Sequence, residues 1–189
     1  MYITIEGIDT AGKSTQINAL KRIYPDAVFT KEPGGTDIGK ELRELVLFKE
    51  IQNPLTELFI FLADRAEHIK RTIKPNLNNL IISDRSVISG IAYAGKTADL
   101  QKLIELNSFA CDNIFPKKAI ILKLSQKELN LRLATKHHDK IEMRGTKYLL
   151  DIQEALLHAG ELLGIQTLSI DASLHVDIIT KQITKFIGE

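Results

Sequence analysis

A three-layer α/β/α architecture on a five-stranded parallel sheet is what this chain predicts, on three observations. Short β-branched apolar runs alternate with helix-compatible stretches along the whole sequence. The first run leads straight into Gly7-Ile8-Asp9-Thr10-Ala11-Gly12-Lys13-Ser14, the phosphate-gripping pattern G-x-x-x-x-G-K-[ST] in its strand–loop–helix setting. A later buried run, Leu80-Ile81-Ile82-Ser83, closes on Asp84-Arg85, so two chemically equipped strand ends should share one rim of the sheet.

The elements follow in order. Tyr2-Ile3-Thr4-Ile5 reads as the first strand and Ser14 to Leu20 as the helix after the glycine loop. Ala27 to Thr30 is a second strand, followed by the loop Glu32-Pro33-Gly34-Gly35-Thr36. Thr36 or Asp37 can cap a helix to about Leu47. Pro54 opens a long helix expected to reach about Lys74, where Pro75 and an Asn-rich turn stop it. After the Leu80–Ser83 strand come a helix from Ser86 to about Tyr93, a break at Gly95-Lys96, and a helix from about Asp99 to Cys111. Ala119 to Leu124 is a strand; Ser125 with Glu128 makes a capping box for a helix ending near Lys136. A helix from about Glu142 to Leu163 stops at Gly164, and a strand from Gln166 to Ile170 and a helix from about Leu174 to Phe186 finish the chain. Strands and helices in this order give the P-loop kinase architecture, expected as one domain over 1–189 with a lid at about 135–143.

Composition narrows the function. The chain of 189 residues carries 25 Lys and Arg against 24 Asp and Glu, so overall charge favours neither nucleic acid nor a membrane surface. Cys111 is the single cysteine, which fits a reducing, cytoplasmic setting. No basic leader and no apolar run of membrane-spanning length occurs.

The chemistry concentrates in a few places. Glycines let the loop's N–H groups curl round an anion, and the helix start adds its own unpaired donors. Lys13 suits the β- and γ-phosphates of a nucleotide, and the Ser14 hydroxyl suits Mg²⁺. Asp84 can orient the same ion, and Arg85 can clamp a phosphate with its planar fork. Arg85, Ser89 and Tyr93 are spaced i, i+4, i+8, which puts a guanidinium, a hydroxyl and a ring on one helix face. On the long helix, Leu55, Leu58, Phe59, Leu62, Ala66, Ile69 and Ile73 form an apolar stripe expected to face the core. Phe61 and Arg65 lie off that stripe as i, i+4 neighbours; by spacing alone they read as a second packing face with a surface arginine. Asp9 would repel a triphosphate and should point toward an acceptor hydroxyl. Arg132, Lys136, His137, His138, Lys140 and Arg144 make a basic gap suited to a lid. Adjacent histidines project differently and no Cys or third His is near in sequence, which argues against a metal at His137-His138.

Together these stretches resemble the thymidylate kinase family. The matching pieces are Ile5 to Gln16, Glu32-Pro33-Gly34-Gly35-Thr36, Phe61-Leu62-Ala63-Asp64-Arg65, Asp84 to Tyr93, Asp139-Lys140-Ile141-Glu142 and Ile170-Asp171-Ala172, in family order over the whole chain. The resemblance implies transfer of the ATP γ-phosphoryl to dTMP with Mg²⁺, by a homodimer. It implies ATP on Gly7 to Thr15, with Arg132, Asp171 and Ala172 at the adenine. It implies dTMP against Asp9, Glu32, Pro33, Phe61, Arg65, Arg85, Ser89 and Tyr93. Phe61 would stack on thymine, Arg65 would bond the base edge, and Tyr93 would crowd the sugar's 2′ position. Ser86 stands where the family usually has tyrosine. Thr10, Lys136 and Lys140 stand where its members place arginines, so a lid lysine becomes the candidate bridging cation. The rival readings are a kinase for another nucleoside monophosphate or a deoxynucleoside, and a nucleotide-dependent switch. The chain has no Asn-Lys-x-Asp guanine motif to support the switch.

Overall fold

The structure, a computed structural model, describes residues 1–95, 97–134 and 145–188. Five strands, β1 (Tyr2–Gly7), β2 (Val28–Lys31), β3 (Ile81–Asp84), β4 (Lys118–Lys123) and β5 (Gln166–Asp171), form one parallel sheet in the order β2-β3-β1-β4-β5. Its centre is nearly all isoleucine: Ile3, Ile5, Ile81, Ile82, Ile120 and Ile121 are fully buried. A parallel sheet covered on both faces selects such continuous β-branched runs.

The helices are α1 (Lys13–Ile23), α2 (Asp37–Phe48), α3 (Pro54–His68), α4 (Val87–Ala94), α5 (Leu100–Ala110), α6 (Gln126–Leu133), α7 (Thr146–Leu162) and α8 (Val176–Gly188). The pair α1 and α8 packs on the sheet; α7 packs against β1, β4 and β5 and carries α4, which α3 and α5 flank. Caps set the starts. Thr36 Oγ1 accepts from Gly39 N at 2.9 Å, and Asp99 Oδ1 accepts from Lys102 N at 2.9 Å. Asn53 caps α3, with Pro54 in the first turn.

Register positions the site. Ile5 of β1 lies opposite Asp84 of β3, and Asp84 lies opposite Lys31 of β2. The glycine loop after β1 and the Asp84-Arg85 step after β3 therefore leave the sheet side by side.

Four expectations need correction. The long helix is α-helical only to His68; Ile69–Ile73 form a π-helical turn and Lys74–Asn76 a 3₁₀ turn. Of the apolar stripe, Leu58, Leu62, Ile69 and Ile73 are buried, but Leu55, Phe59 and Ala66 are exposed. Their side of α3 turns outward beside α2, so a one-sided burial pattern failed there. Arg85 is not on a helix: α4 starts at Val87 with Ser86 as its cap, and Arg85 has φ 72°. The capping box is half made, because Glu128 N reaches Ser125 Oγ at 3.2 Å while the Glu128 carboxylate turns to Arg132 at 2.8 Å. The expected lid, 135–143, lies wholly outside the described residues, and Lys136 and Lys140 with it.

Candidate active site

The loop after β1 is shaped by residues that tolerate unusual backbone angles. Gly7 has φ 152°, and a Cβ there would sit 3.0 Å from the Leu122 carbonyl oxygen. Thr10 has φ 68°, the left-handed region that a β-branched residue rarely adopts. Its Oγ1 is buried with no hydrogen-bond partner among the described residues, so none of them offsets the strain with a bond to it. The Thr10 carbonyl is held by Arg132 Nη1 at 3.0 Å. Arg132 Nη2 also donates to the Ala172 carbonyl at 2.8 Å, tying the loop to the end of β5. Asp171 is exposed and caps Ser173 N at 2.8 Å.

Two cations converge on one carbonyl. Lys13 Nζ donates to the Gly7 oxygen at 2.9 Å and to the Ile8 oxygen at 3.1 Å. Arg85 Nη1 donates to the same Gly7 oxygen at 3.1 Å. Arg85 Nη2 donates to Asp9 Oδ1 at 2.8 Å, and that oxygen lies 3.7 Å from Lys13 Nζ. Burial, and then the Arg85 charge, lower the Lys13 pKa to about 8. Arg85 also reaches Ser89 Oγ at 3.2 Å and Tyr93 OH at 3.4 Å, and its guanidinium carbon lies 5.2 Å from the Tyr93 ring centroid. So the i, i+4, i+8 trio does meet, although its first member precedes the helix. Burial pushes the Tyr93 hydroxyl up to about 12.

The residues expected on the acceptor side gather around α3. Arg65 is not a surface arginine: its side chain is 4% exposed, with Nε on Glu32 Oε2 at 2.9 Å, Nη1 on Asn107 Oδ1 at 2.7 Å and Nη2 on the Ser86 carbonyl at 3.2 Å. Phe61, one turn earlier, is half-buried and belongs to neither buried apolar cluster. Glu32 and Pro33 join through a cis peptide. A cleft of about 710 Å³ brings Asp9, Lys13, Ser14, Glu32, Asp84 and Arg85 onto one surface. A groove of about 400 Å³ continues past Ser14 and Asp84 along α1 and β2.

Several functional-looking residues escaped sequence reasoning. Glu6 is fully buried and accepts hydroxyls from Ser89 at 2.5 Å, Ser86 at 2.7 Å and Thr4 at 3.0 Å, which orients the base of the Arg85 step. An acidic residue inside an apolar strand was the available signal. Arg43 lines the cleft and donates to the Pro33 carbonyl at 3.1 Å. Asp64 Oδ1 accepts from Gly34 N at 2.9 Å and pins the glycine loop to α3.

The metal question rests on the donors present. Among the described residues no group of three or more His, Cys, Asp and Glu side chains could hold an ion. Asp84 Oδ1, however, is buried without a hydrogen-bond partner among these residues, and Ser14 stands exposed on the same cleft. One carboxylate and one hydroxyl suit an oxygen-loving cation that completes its shell with water and phosphate oxygens, which is the habit of Mg²⁺.

A parallel sheet with a glycine loop on its central strand, and a half-buried arginine and aspartate on the neighbouring strand tip, defines a P-loop kinase. Comparison with known proteins narrows this. The thymidylate kinase family model matches residues 5–183. The chain is 52% identical over 188 residues to a thymidylate kinase of Aliarcobacter butzleri, covering 100% of this chain and 99% of that one. It is 53% identical over 185 residues to a thymidylate kinase of Sulfurimonas denitrificans, with 97% of each covered. A crystal structure of thymidylate kinase from Ehrlichia chaffeensis superposes with a TM-score of 0.77 at 26% identity, over 100% of this chain and 98% of that one. The chain belongs to the thymidylate kinase family, and its activity is the phosphotransfer that converts dTMP to dTDP.

Proposed function

We propose that this protein moves the γ-phosphoryl group of ATP in line onto a phosphate oxygen of dTMP, with Mg²⁺. The observation that carries this reading is the Gly7 carbonyl shared by Lys13 and Arg85, because it sets the two phosphate-holding cations side by side. Gly7 to Thr15 cradle the donor phosphates, and Arg132 with Asp171 and Ala172 borders the adenine. Ser14 and Asp84 hold Mg²⁺. That ion supplies charge neutralisation across the donor phosphates. Arg85 grips the acceptor phosphate, assisted by Ser89 and Tyr93, while Asp9 contacts the sugar and Glu32, Pro33, Phe61 and Arg65 the base side. The acceptor is already anionic at neutral pH, so alignment and charge replace a strong base. No covalent enzyme intermediate forms.

A lysine of the lid expected over 135–143, Lys136 or Lys140, is the candidate for the bridging charge, and the chain forms a single kinase domain. The working form is a homodimer in the cytoplasm. Support for the dimer comes from α2 and α3, which expose Ile38, Leu45, Phe48, Leu55 and Phe59 along packed neighbouring helices. Among the described residues no helix is long and apolar enough to cross a membrane.

The test is ADP release across a panel of acceptors. dTMP should outrun other nucleoside monophosphates and deoxynucleosides. Arg85→Ala should cut turnover with dTMP by about 10²–10³-fold, the scale of losing a charged donor to the reacting group. ATP hydrolysis without acceptor dependence would instead support a switch. Lys136→Ala and Lys140→Ala should each lower kcat more than dTMP affinity; unchanged kcat in both removes the lid lysines from the mechanism.

A further inference from the structure

Behind Arg65 lies a buried relay. Glu32 uses its two carboxylate oxygens differently: Oε2 takes Arg65 Nε at 2.9 Å, and Oε1 takes His68 Nδ1 at 2.7 Å. The far side of the same ring, His68 Nε2, meets Thr30 Oγ1 at 2.6 Å. With a proton on Nδ1 the ring donates to the carboxylate, and its Nε2 pairs with the threonine hydroxyl. The His68 side chain is wholly buried and that of Glu32 is 4% exposed. Burial alone would raise the Glu32 pKa, but the Arg65 charge and the His68 hydrogen bond outweigh it and hold it below the usual carboxylate range.

The surroundings are shaped for this relay. A Cβ on Gly35 would lie 2.7 Å from His68 Cδ2 and 2.9 Å from Thr30 Oγ1. A Cβ on Gly90 would lie 2.5 Å from Arg65 Nη1. Glycine at these two places leaves room for the imidazole to reach Thr30 and for the guanidinium to slide between α3, α4 and α5. The α-helix gives way to the π turn directly after His68. Arg65 and His68, three residues apart, therefore both face Glu32.

We propose that His68 is a positioning residue for acceptor-base selectivity: through Glu32 it fixes the Arg65 guanidinium as a donor to a keto oxygen on the base. This rests on the reading that Arg65 meets the base edge. Arginine only donates, and three of its N–H groups are committed to Glu32, Asn107 and the Ser86 carbonyl. What remains can meet the O4 acceptor of thymine but not the amino group that cytosine carries there. Selectivity of this kind depends on the donor being held in place. Without His68, Glu32 Oε1 loses this partner, and the carboxylate that aims Arg65 Nε loses its brace, while Asn107 and the Ser86 carbonyl still hold the Nη groups.

The experiment measures kcat/KM for dTMP and for dCMP in four variants, with KM for ATP and thermal melting as controls. His68→Gln loses the donor at the Nδ1 position and should lower the dTMP:dCMP ratio at least about tenfold, with KM for ATP unchanged. His68→Asn keeps a donor at that position and should retain most of the ratio. Thr30→Val should lower it by a smaller factor, about two- to threefold. Arg65→Ala is the reference. If it collapses the ratio while His68→Gln and His68→Asn both match the parent, the relay plays no part in selectivity. Equal loss in the glutamine and asparagine variants overturns it as well. If Arg65→Ala leaves the ratio intact, the base-edge reading itself falls and takes this inference with it. Should His68→Gln fail to fold, Thr30→Val decides: an unchanged ratio overturns the proposal.

Discussion

Two side chains carry titrations that solution measurements can read. Lys13 has its pKa lowered to about 8 by burial and by Arg85. Donor phosphates favour the charged lysine, so binding raises that value and takes up a proton wherever the free form is deprotonated. Titration calorimetry of ATP binding in buffers of different ionisation heat should show Lys13 contributing an uptake of about three quarters of a proton at pH 8.5 and almost none at pH 6.5. Lys13→Arg, which does not titrate in this range, should abolish the uptake. Asp64 shows the opposite case: burial pushes its pKa from 3.8 up to about 6. A carboxyl that holds its proton more tightly when folded loses stability as pH rises from about 4 through about 6. The shift corresponds to about 3 kcal/mol at most. Asp64→Asn keeps an acceptor for Gly34 N, so it should flatten that pH slope and melt higher than the parent at pH 7. Thr10 adds a third check. Glycine there removes left-handed strain and an unpartnered hydroxyl, and should raise stability by about 1–3 kcal/mol in denaturant unfolding.

At the level of helices and strands, the sequence was most legible where chemistry and periodicity coincide. The glycine loop, the Asp84-Arg85 strand end and the Thr36, Asp99 and Ser125 caps follow from local residue types, and local rules decide them. The α3 region was less legible for a physical reason. Its exposed leucine and phenylalanine look like core, because a stripe meant for another surface obeys the same spacing as one meant for the interior. Arg65 was misjudged for the converse reason. Burial of a charge depends on Glu32 and Asn107, which lie 33 and 42 residues away, and no helical pattern contains them. Nor does any local signal announce the π turn after His68. The outward face of α2 and α3 makes its own prediction. Phe48 is 79% exposed, and if the proposed dimer forms through this face, Phe48→Glu with Phe59→Glu should abolish it and leave a folded monomer in light scattering.

Across the whole molecule, strand order is what assembles the site. Because β1 lies between β3 and β4, residues 78 apart in sequence, Gly7 and Arg85, come within hydrogen-bond distance. The order itself was not readable from the chain, which showed five strands and a parallel sense but not which strand neighbours which. It became inferable only through the chemistry: a loop for one nucleotide and an arginine for another must be adjacent to react.

The Gly7 carbonyl has one more implication. Lys13 and Arg85 donate to the same oxygen and repel each other across it. Whichever ligand arrives first draws one of them off and quiets the quarrel, leaving the other in easier circumstances for its own guest. The two substrates should therefore welcome each other: a non-hydrolysable ATP analogue should tighten dTMP binding, dTMP should tighten the analogue by the same factor, and Arg85→Ala should erase the mutual benefit.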